Sequence, residues 1–382
     1  MFHVIAGLLA LYVSCRLVWC QRWPAPVKWT ICALIVLASQ HHLVTRNFFG
    51  SLASPELPAP VLMVLGCAFG ALILAALLLL ALDLFGLLAY PLFRRVGHTV
   101  LATPSLRAGI GAAALLLAAI GTWQAVRVPE VRNIEVQLAQ LPPELDGFRL
   151  VQLTDLHASR LLQRPWMEAV VARTNALNPD LIVITGDLVD GTVGMRTHDV
   201  EPLRDLTAGH GVYAIPGNHE YYAEYQQWLE HFERLGVRML LNEHVTIAGA
   251  GAEFVLAGIT DRAAAPFGQP MPDIGAALAG VPQEAAVILL SHRPPGAQDN
   301  ARAGADLQLS GHTHGGQVLG LHWVTQWAND GYVSGLYRID AMHLYVSNGA
   351  GLWPGFPLRL GRPSEITEIT LRSVGGVRAN GA

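Results

Sequence analysis

Leu181-Ile182-Val183-Ile184-Thr185-Gly186-Asp187 decides the fold. Four aliphatic residues in a row read as a short strand buried on both faces, and the run stops abruptly at a glycine and a carboxylate. The same pattern recurs on either side. Leu150-Val151-Gln152-Leu153 runs into Thr154-Asp155-Leu156-His157, and Val212-Tyr213-Ala214-Ile215 into Pro216-Gly217-Asn218-His219-Glu220. Val287-Ile288-Leu289-Leu290 runs into Ser291-His292, and Leu307-Gln308-Leu309 into Ser310-Gly311-His312-Thr313-His314. Residues 133–139 alternate and read as an edge strand, while 166–177 and 222–235 read as amphipathic helices. Ligands of such sheets gather beyond the carboxyl ends of the strands. Five successive strand ends here deliver Asp, His, Asp, Asn and three more His.

Imidazole and carboxylate donors without thiolate suit Zn, Fe or Mn. Asp155 and His157 are two apart, so extended backbone would point both to one side; His312 and His314 share that spacing. Gly186 ahead of Asp187 removes a side chain where a carboxylate must approach closely. Seven such donors with one shared carboxylate suit two cations about 3.5–4 Å apart, an arrangement used for in-line displacement at phosphorus. His219, next to Asn218, is then free to protonate a leaving oxygen.

Asp155-Leu156-His157, Gly186-Asp187, Gly217-Asn218-His219-Glu220, Ser291-His292 and Gly311-His312-Thr313-His314-Gly315-Gly316-Gln317 resemble the five blocks of the calcineurin-like metallophosphoesterases. The likeness runs from about Asn133 onward. Tyr345-Val346-Ser347-Asn348-Gly349 and Pro363-Ser364-Glu365-Ile366 resemble the bacterial membrane-associated branch. The resemblance implies a four-layer α/β/β/α sandwich of two mixed sheets. It implies a first metal on Asp155, His157 and His314, with Asp187 bridging, and a second completed by Asn218, His292 and His312. His219 would be the acid.

The first third of the chain reads differently. The whole sequence is only 14% charged and 52% hydrophobic, against about 25% charged for an ordinary soluble domain. Residues 1–129 hold two acids, Glu56 and Asp83, against eight Lys and Arg, which leaves 27 acids and 17 bases beyond them, a net of −10. So acidic a domain would repel a nucleic-acid backbone, which excludes that partner class. Apolar stretches at 2–18, 29–44, 59–89 and 108–123 predict about four transmembrane helices, so 1–127 is read as a membrane region and 128–382 as the phosphoesterase domain. His41 and His42 are expected at an interfacial helix end. All four cysteines lie in this apolar part, so the domain has neither disulfides nor a thiolate site.

Arg16, Arg22, Lys28, Arg94, Arg95 and Arg107 fall on one side of four spans and Arg46, Arg127 and Arg132 on the other. That bias puts the domain on the periplasmic side of a bacterial inner membrane, whereas a second stretch (29–44) too short to span would put it in the cytoplasm. Asp190 and Asp261 read as loop-capping or ligand-orienting residues and Glu220 as a helix start. Arg262, Arg293 and Arg359 read as surface arginines, with substrate-phosphate recognition the alternative. The aromatics after the Asn-His and His-x-His blocks, Trp323 and Trp327 among them, read mostly as packing residues. The alternative is an apolar groove that faces the bilayer and admits a lipid-linked phosphate.

The expected protein is a membrane-anchored dinuclear phosphohydrolase, a phosphodiesterase or pyrophosphatase, acting on a small phosphate ester or a lipid-linked phosphate beside membrane lipids. Two rivals stand beside it: a helical transporter or sensor carrying a binding module, and a metallohydrolase of non-phosphate esters.

Overall fold

The computed structural model describes residues 2–374 and divides into two units. One runs to Val126 and includes Pro354–Leu360; the other is Arg127–Trp353 with the chain from Gly361 onward.

The first unit is helical: α1 (Phe2–Val13), continued by a π turn Ser14–Val18, then α2 (Ala25–Phe48), α3 (Ala59–Ala89), α4 (Arg94–Ala102) and α5 (Pro104–Ala125). Helices α2, α3 and α5 are long and apolar enough to cross a membrane, whereas Phe2–Val18 is shorter. Pro follows the N-cap of all three long helices, where its missing N–H costs nothing. Helix α2 outruns its apolar stretch at both ends. His41 and His42 therefore lie inside the helix rather than at its end, and are buried. Their N–H groups donate to Ala38 O at 2.8 Å and Gly355 O at 2.6 Å. Asp83 accepts from Tyr12 Oη at 2.8 Å and Arg16 Nε at 2.7 Å, with Arg107 3.7 Å away. The single membrane-helix carboxylate is thus neutralised within the unit.

Pro354–Leu360 seats against small residues of α3 and α5. A Cβ on Gly66 would meet Pro357 Cγ at 2.4 Å, and one on Gly121 would meet Leu358 at 2.6 Å. Glycines at those positions let the returning backbone approach.

The second unit holds two six-stranded sheets. The first has the order β1-β12-β2-β3-β4-β5 and the second β10-β11-β9-β8-β7-β6. In chain order the strands are β1 (Glu130–Leu138), β2 (Arg149–Leu153), β3 (Leu181–Thr185), β4 (Val212–Ile215), β5 (Val237–Met239), β6 (Glu243–Gly249), β7 (Ala252–Gly258), β8 (Val287–Leu290), β9 (Leu307–Ser310), β10 (Gly335–Ile339), β11 (Met342–Val346) and β12 (Glu365–Ser373). Strands β2 to β5 are parallel, as are β7, β8, β9 and β11; β12 is antiparallel to β2, so the first sheet is mixed. Strand β1 is the exposed edge, paired with β12.

The inner faces meet in one core, where Leu150, Val183 and Ile369 from one sheet pack with Leu256, Ile288 and Leu309 from the other. Burial of each such side chain stabilises by about 1.5–3 kcal/mol. Outside the sheets lie α6 (Arg164–Asn175), α7 (Val193–Val200), α8 (Tyr225–Arg234), α9 (Ile274–Ala277), α10 (Ala297–Arg302) and α11 (His322–Ala328). Helix α8 buries Trp228 and Phe232 and packs along β5, and α10 sends Ala297 against Leu289 of the second sheet. The layering is helix, sheet, sheet, helix. All five residues of β3 are buried, which explains its unbroken apolar run.

Candidate metal centre

The carboxyl ends of β2, β3 and β4 in one sheet and of β8 and β9 in the other converge on a single point. Three sets of ligand atoms lie there within 4.8 Å of one another: Asp155, His157 and His314; His157, Asp187 and His219; and Asp187, His292 and His312. Asn218 joins the third set, its Oδ1 3.2 Å from His292 Nε2. All eight residues singled out in the sequence are therefore brought together.

The geometry that assembles them is not the extended one. Asp155, His157, Asp187, His312 and His314 all adopt positive φ, between 46° and 68°. Side chains two apart meet because the backbone turns sharply at each strand end, in a region costly for non-glycine residues. Glycines fill the remaining space. A Cβ on Gly217 would lie 2.2 Å from Asp187 Oδ1, and one on Gly311 would lie 2.3 Å from Asp155 Oδ2. The close approach to the Asp187 carboxylate is thus made at Gly217, while Gly186 clears the Gly217 backbone and His292.

The residues fit a cation. His157 Nε2 is buried with no hydrogen-bond partner. It faces Asp187 Oδ2 at 3.7 Å and Asp155 Oδ1 at 3.9 Å, too far for hydrogen bonds but open to an ion between them. His314 Nε2 stands 3.6 Å from the same Asp155 oxygen. His292 donates from Nδ1 to Thr185 O at 2.8 Å, leaving the Nε2 side to face Asp187 Oδ2 at 3.2 Å. Such outer contacts fix which ring nitrogen is presented.

Charge is balanced internally. Burial alone would lower His292, but Asp187 beside it raises it to about 10. Burial pushes Asp155 up, whereas His292 and His219 hold Asp187 well below the usual carboxylate range despite its own burial. Burial and the positive His292 and Arg293 keep His312 neutral, so its Nε2 accepts from Arg293 Nη1 at 2.8 Å. An imidazole lone pair serves one donor or one metal at a time, which makes this contact exclusive with metal binding at Nε2.

Asp190 and Asp261 orient side chains and cap a loop as their sequence positions suggest, and other residues outside the ligand set also bear on the site. Asp190 Oδ1 accepts from Nδ1 of both His157, at 3.2 Å, and His219, at 2.5 Å. Glu220 begins a short helical turn, yet its buried carboxylate accepts from the backbone N–H groups of Asp187, Leu188, Val189 and Gly217. It starts the turn, as its sequence position suggests, and in addition clamps two ligand loops together. Asp261 caps a turn through Ala263 N and also grips Arg293 Nε at 2.9 Å. Arg262 and Arg293 line a cavity of about 260 Å³ with Asp261, Ser291 and Asn300. Arg359 belongs to the helical unit, buried with its N–H on Gly121 O.

The tail motifs brace the site. Ala350 N and Gly351 N donate to Thr154 O and Asp155 O. Glu365 accepts from Tyr345 Oη at 2.7 Å and Asn348 N at 3.1 Å, tying the two tail motifs together.

Residues 148–316 match the family described as calcineurin-like phosphoesterase. The chain is similar to a transmembrane protein with metallophosphoesterase domain of Danio rerio, at 36% identity over 67% of this chain and 60% of that protein. It is 34% identical to a metallophosphoesterase of Helicobacter pylori over 66% of each chain. It is 32% identical to the metallophosphoesterase YkuE of Bacillus subtilis, over 68% of this chain and 93% of that one. The matched region thus spans about three fifths of the length of the animal relatives.

Proposed function

The chain belongs to the calcineurin-like phosphoesterase family, and from that premise we propose that it is a membrane-anchored, dinuclear metal-dependent phosphohydrolase acting on phosphodiesters or pyrophosphates. The observation that carries the reading is His157 Nε2, buried without a partner between two carboxylates. Asp155, His157 and His314 would hold one divalent ion, Mn, Fe or Zn. Asn218, His292 and His312 would hold the second, and Asp187 would bridge. Such ions, when bound, activate water and neutralise charge on the phosphoryl group.

The chain's own groups supply the proton. Burial by itself would lower His219, but the Asp190 and Asp187 carboxylates raise it to about 9. In the metal-free chain it is therefore protonated at neutral pH, with Nδ1–H tied to Asp190 and the ring beside the ligand cluster. From there it donates to the departing oxygen. Asp190 acts through His219 by fixing its tautomer and charge.

The substrate is a phosphate ester, and the reading extends to a lipid-linked one, because the domain follows α5 directly and returns to the helical unit at Pro354. Four spans would put the domain on the periplasmic face of a bacterial inner membrane. Helix α2 has 24 residues, so the side turns on Phe2–Val18, which meets the lower end of the roughly 17–25 residues a span needs.

The test uses the full chain in lipid nanodiscs, reconstituted with Mn²⁺, Zn²⁺ or Fe²⁺. Bound metal is counted, and turnover of bis(4-nitrophenyl) phosphate and 4-nitrophenyl phosphate is measured. Asp187→Ala should lose both metal and turnover. His219→Ala should keep its metal and lose roughly 10²–10⁴ in rate. A chain that binds no metal overturns the reading. Equal cleavage of soluble and lipid-linked diesters, with and without a surrounding bilayer, overturns the lipid part alone.

A further inference from the structure

The loop and helix after the His-x-His motif carry the phosphoesterase unit's most exposed aromatic surface. Leu319, Trp323, Val324 and Trp327 are 66%, 68%, 63% and 84% exposed. From Leu319 to Ala328 the chain has no Asp, Glu, Lys or Arg. Yet the segment is anchored: His322 is buried, and a Cβ on Gly316 would meet His322 Cα at 2.4 Å. Helix α11 is thus fixed to the loop bearing His312 and His314 while its outward face stays apolar. A contiguous apolar patch of this kind marks a contact surface.

We propose that this face rests in the interfacial region of the bilayer that α2, α3 and α5 cross. The occupant follows from the path of the chain. Leu360 lies against Gly121 of α5, with 3.0 Å between Leu360 Cγ and a Cβ placed on that glycine. The next residue, Gly361, re-enters the phosphoesterase unit, and a Cβ there would lie 3.2 Å from Leu319 Cβ. The apolar face therefore begins at the residue adjoining a segment packed on a membrane-length helix. Tryptophan is the side chain favoured at the headgroup level, and an uncharged Trp-Leu-Val face suits lipid better than a polar partner. The inference rests on membrane anchorage and not on the catalytic reading.

Its test reads position, not activity. In the full chain with Cys15, Cys20, Cys32 and Cys67 changed to Ser, Val324→Cys carries an environment-sensitive fluorophore, with both tryptophans retained. The protein is reconstituted in phosphatidylcholine–phosphatidylglycerol vesicles, with and without shallow doxyl-labelled lipid. The expected result is a blue-shifted emission that the doxyl lipid quenches several-fold, with quenching reduced by Trp323→Ser/Trp327→Ser. An aqueous, unquenched emission overturns the proposal. So does shielding that grows with the protein-to-lipid ratio and is untouched by doxyl lipid, which would assign the face to a second copy of the chain.

Discussion

Asp190 Oδ1 sits 2.5 Å from His219 Nδ1, in a site where Asp190 is fully buried. That contact sets both the tautomer and the charge of the histidine proposed to protonate the leaving group.

Asp190→Asn should therefore keep the fold but slow turnover by roughly 10²–10⁴, the range for a general acid held in the wrong tautomer or charge state. The sign of the pH effect is fixed. Activity needs protonated His219, so it falls as pH rises through that group's value, which the Asp190 carboxylate raises. Removing the Asp190 charge moves that fall to lower pH. A kcat/KM profile with an unmoved alkaline limb would argue against His219 as the acid.

Glu220 joins the loop of Asp187 to the loop of Asn218 through four backbone N–H groups. Glu220→Gln leaves a neutral acceptor with half the oxygen atoms, and buried hydrogen bonds to charged groups contribute about 1.5–3 kcal/mol each. A loss of at least ~2 kcal/mol in denaturant unfolding is expected, with weaker metal binding. Unchanged stability would mean that the clamp is replaceable by water.

Metal loading should release protons. His292, raised to about 10, is charged below that pH in the metal-free chain and must be neutral to ligate. Affinity should rise with pH toward 10, and titration calorimetry in buffers of different ionisation enthalpy should report about one proton per chain from this residue. Heats that do not depend on the buffer would exclude the His292–Asp187 ion pair as the metal-free state.

A reporter fused after Ala382 reads the side of the membrane. With Phe2–Val18 spanning, an alkaline phosphatase fusion is active outside the cytoplasm and a green fluorescent fusion is dark. The opposite pattern would mean that the first helix lies along the interface.

The two classes of residue differ in how far they could be read from the chain. The strand runs ending at Asp155, Asp187, Asn218, His292 and His312 were legible because burial on both faces forces continuous aliphatic runs and the ends must turn polar. Donor chemistry was legible from residue type alone, since N and O ligands without cysteine admit few ions. Asp83 was visible as the single acid of a membrane helix; its pairing with Arg16 and Tyr12 was not.

What tertiary structure decided depends on contacts between residues far apart in the chain. The left-handed turns at five ligands replace the extended geometry that a two-residue spacing suggests, because Gly217 and Gly311 open room only once different strands lie side by side. Glu220 became a clamp on the Asp187 loop, and Arg293 was drawn to His312 and Asp261, through neighbours 19 to 33 residues away. The assignment of Pro354–Leu360 to the helical unit likewise rests on glycines of α3 and α5 that precede it by more than 200 residues. Local sequence determines period, polarity and ligand type; which backbone N–H, lone pair or glycine surface each side chain meets is set only when the sheets close on each other.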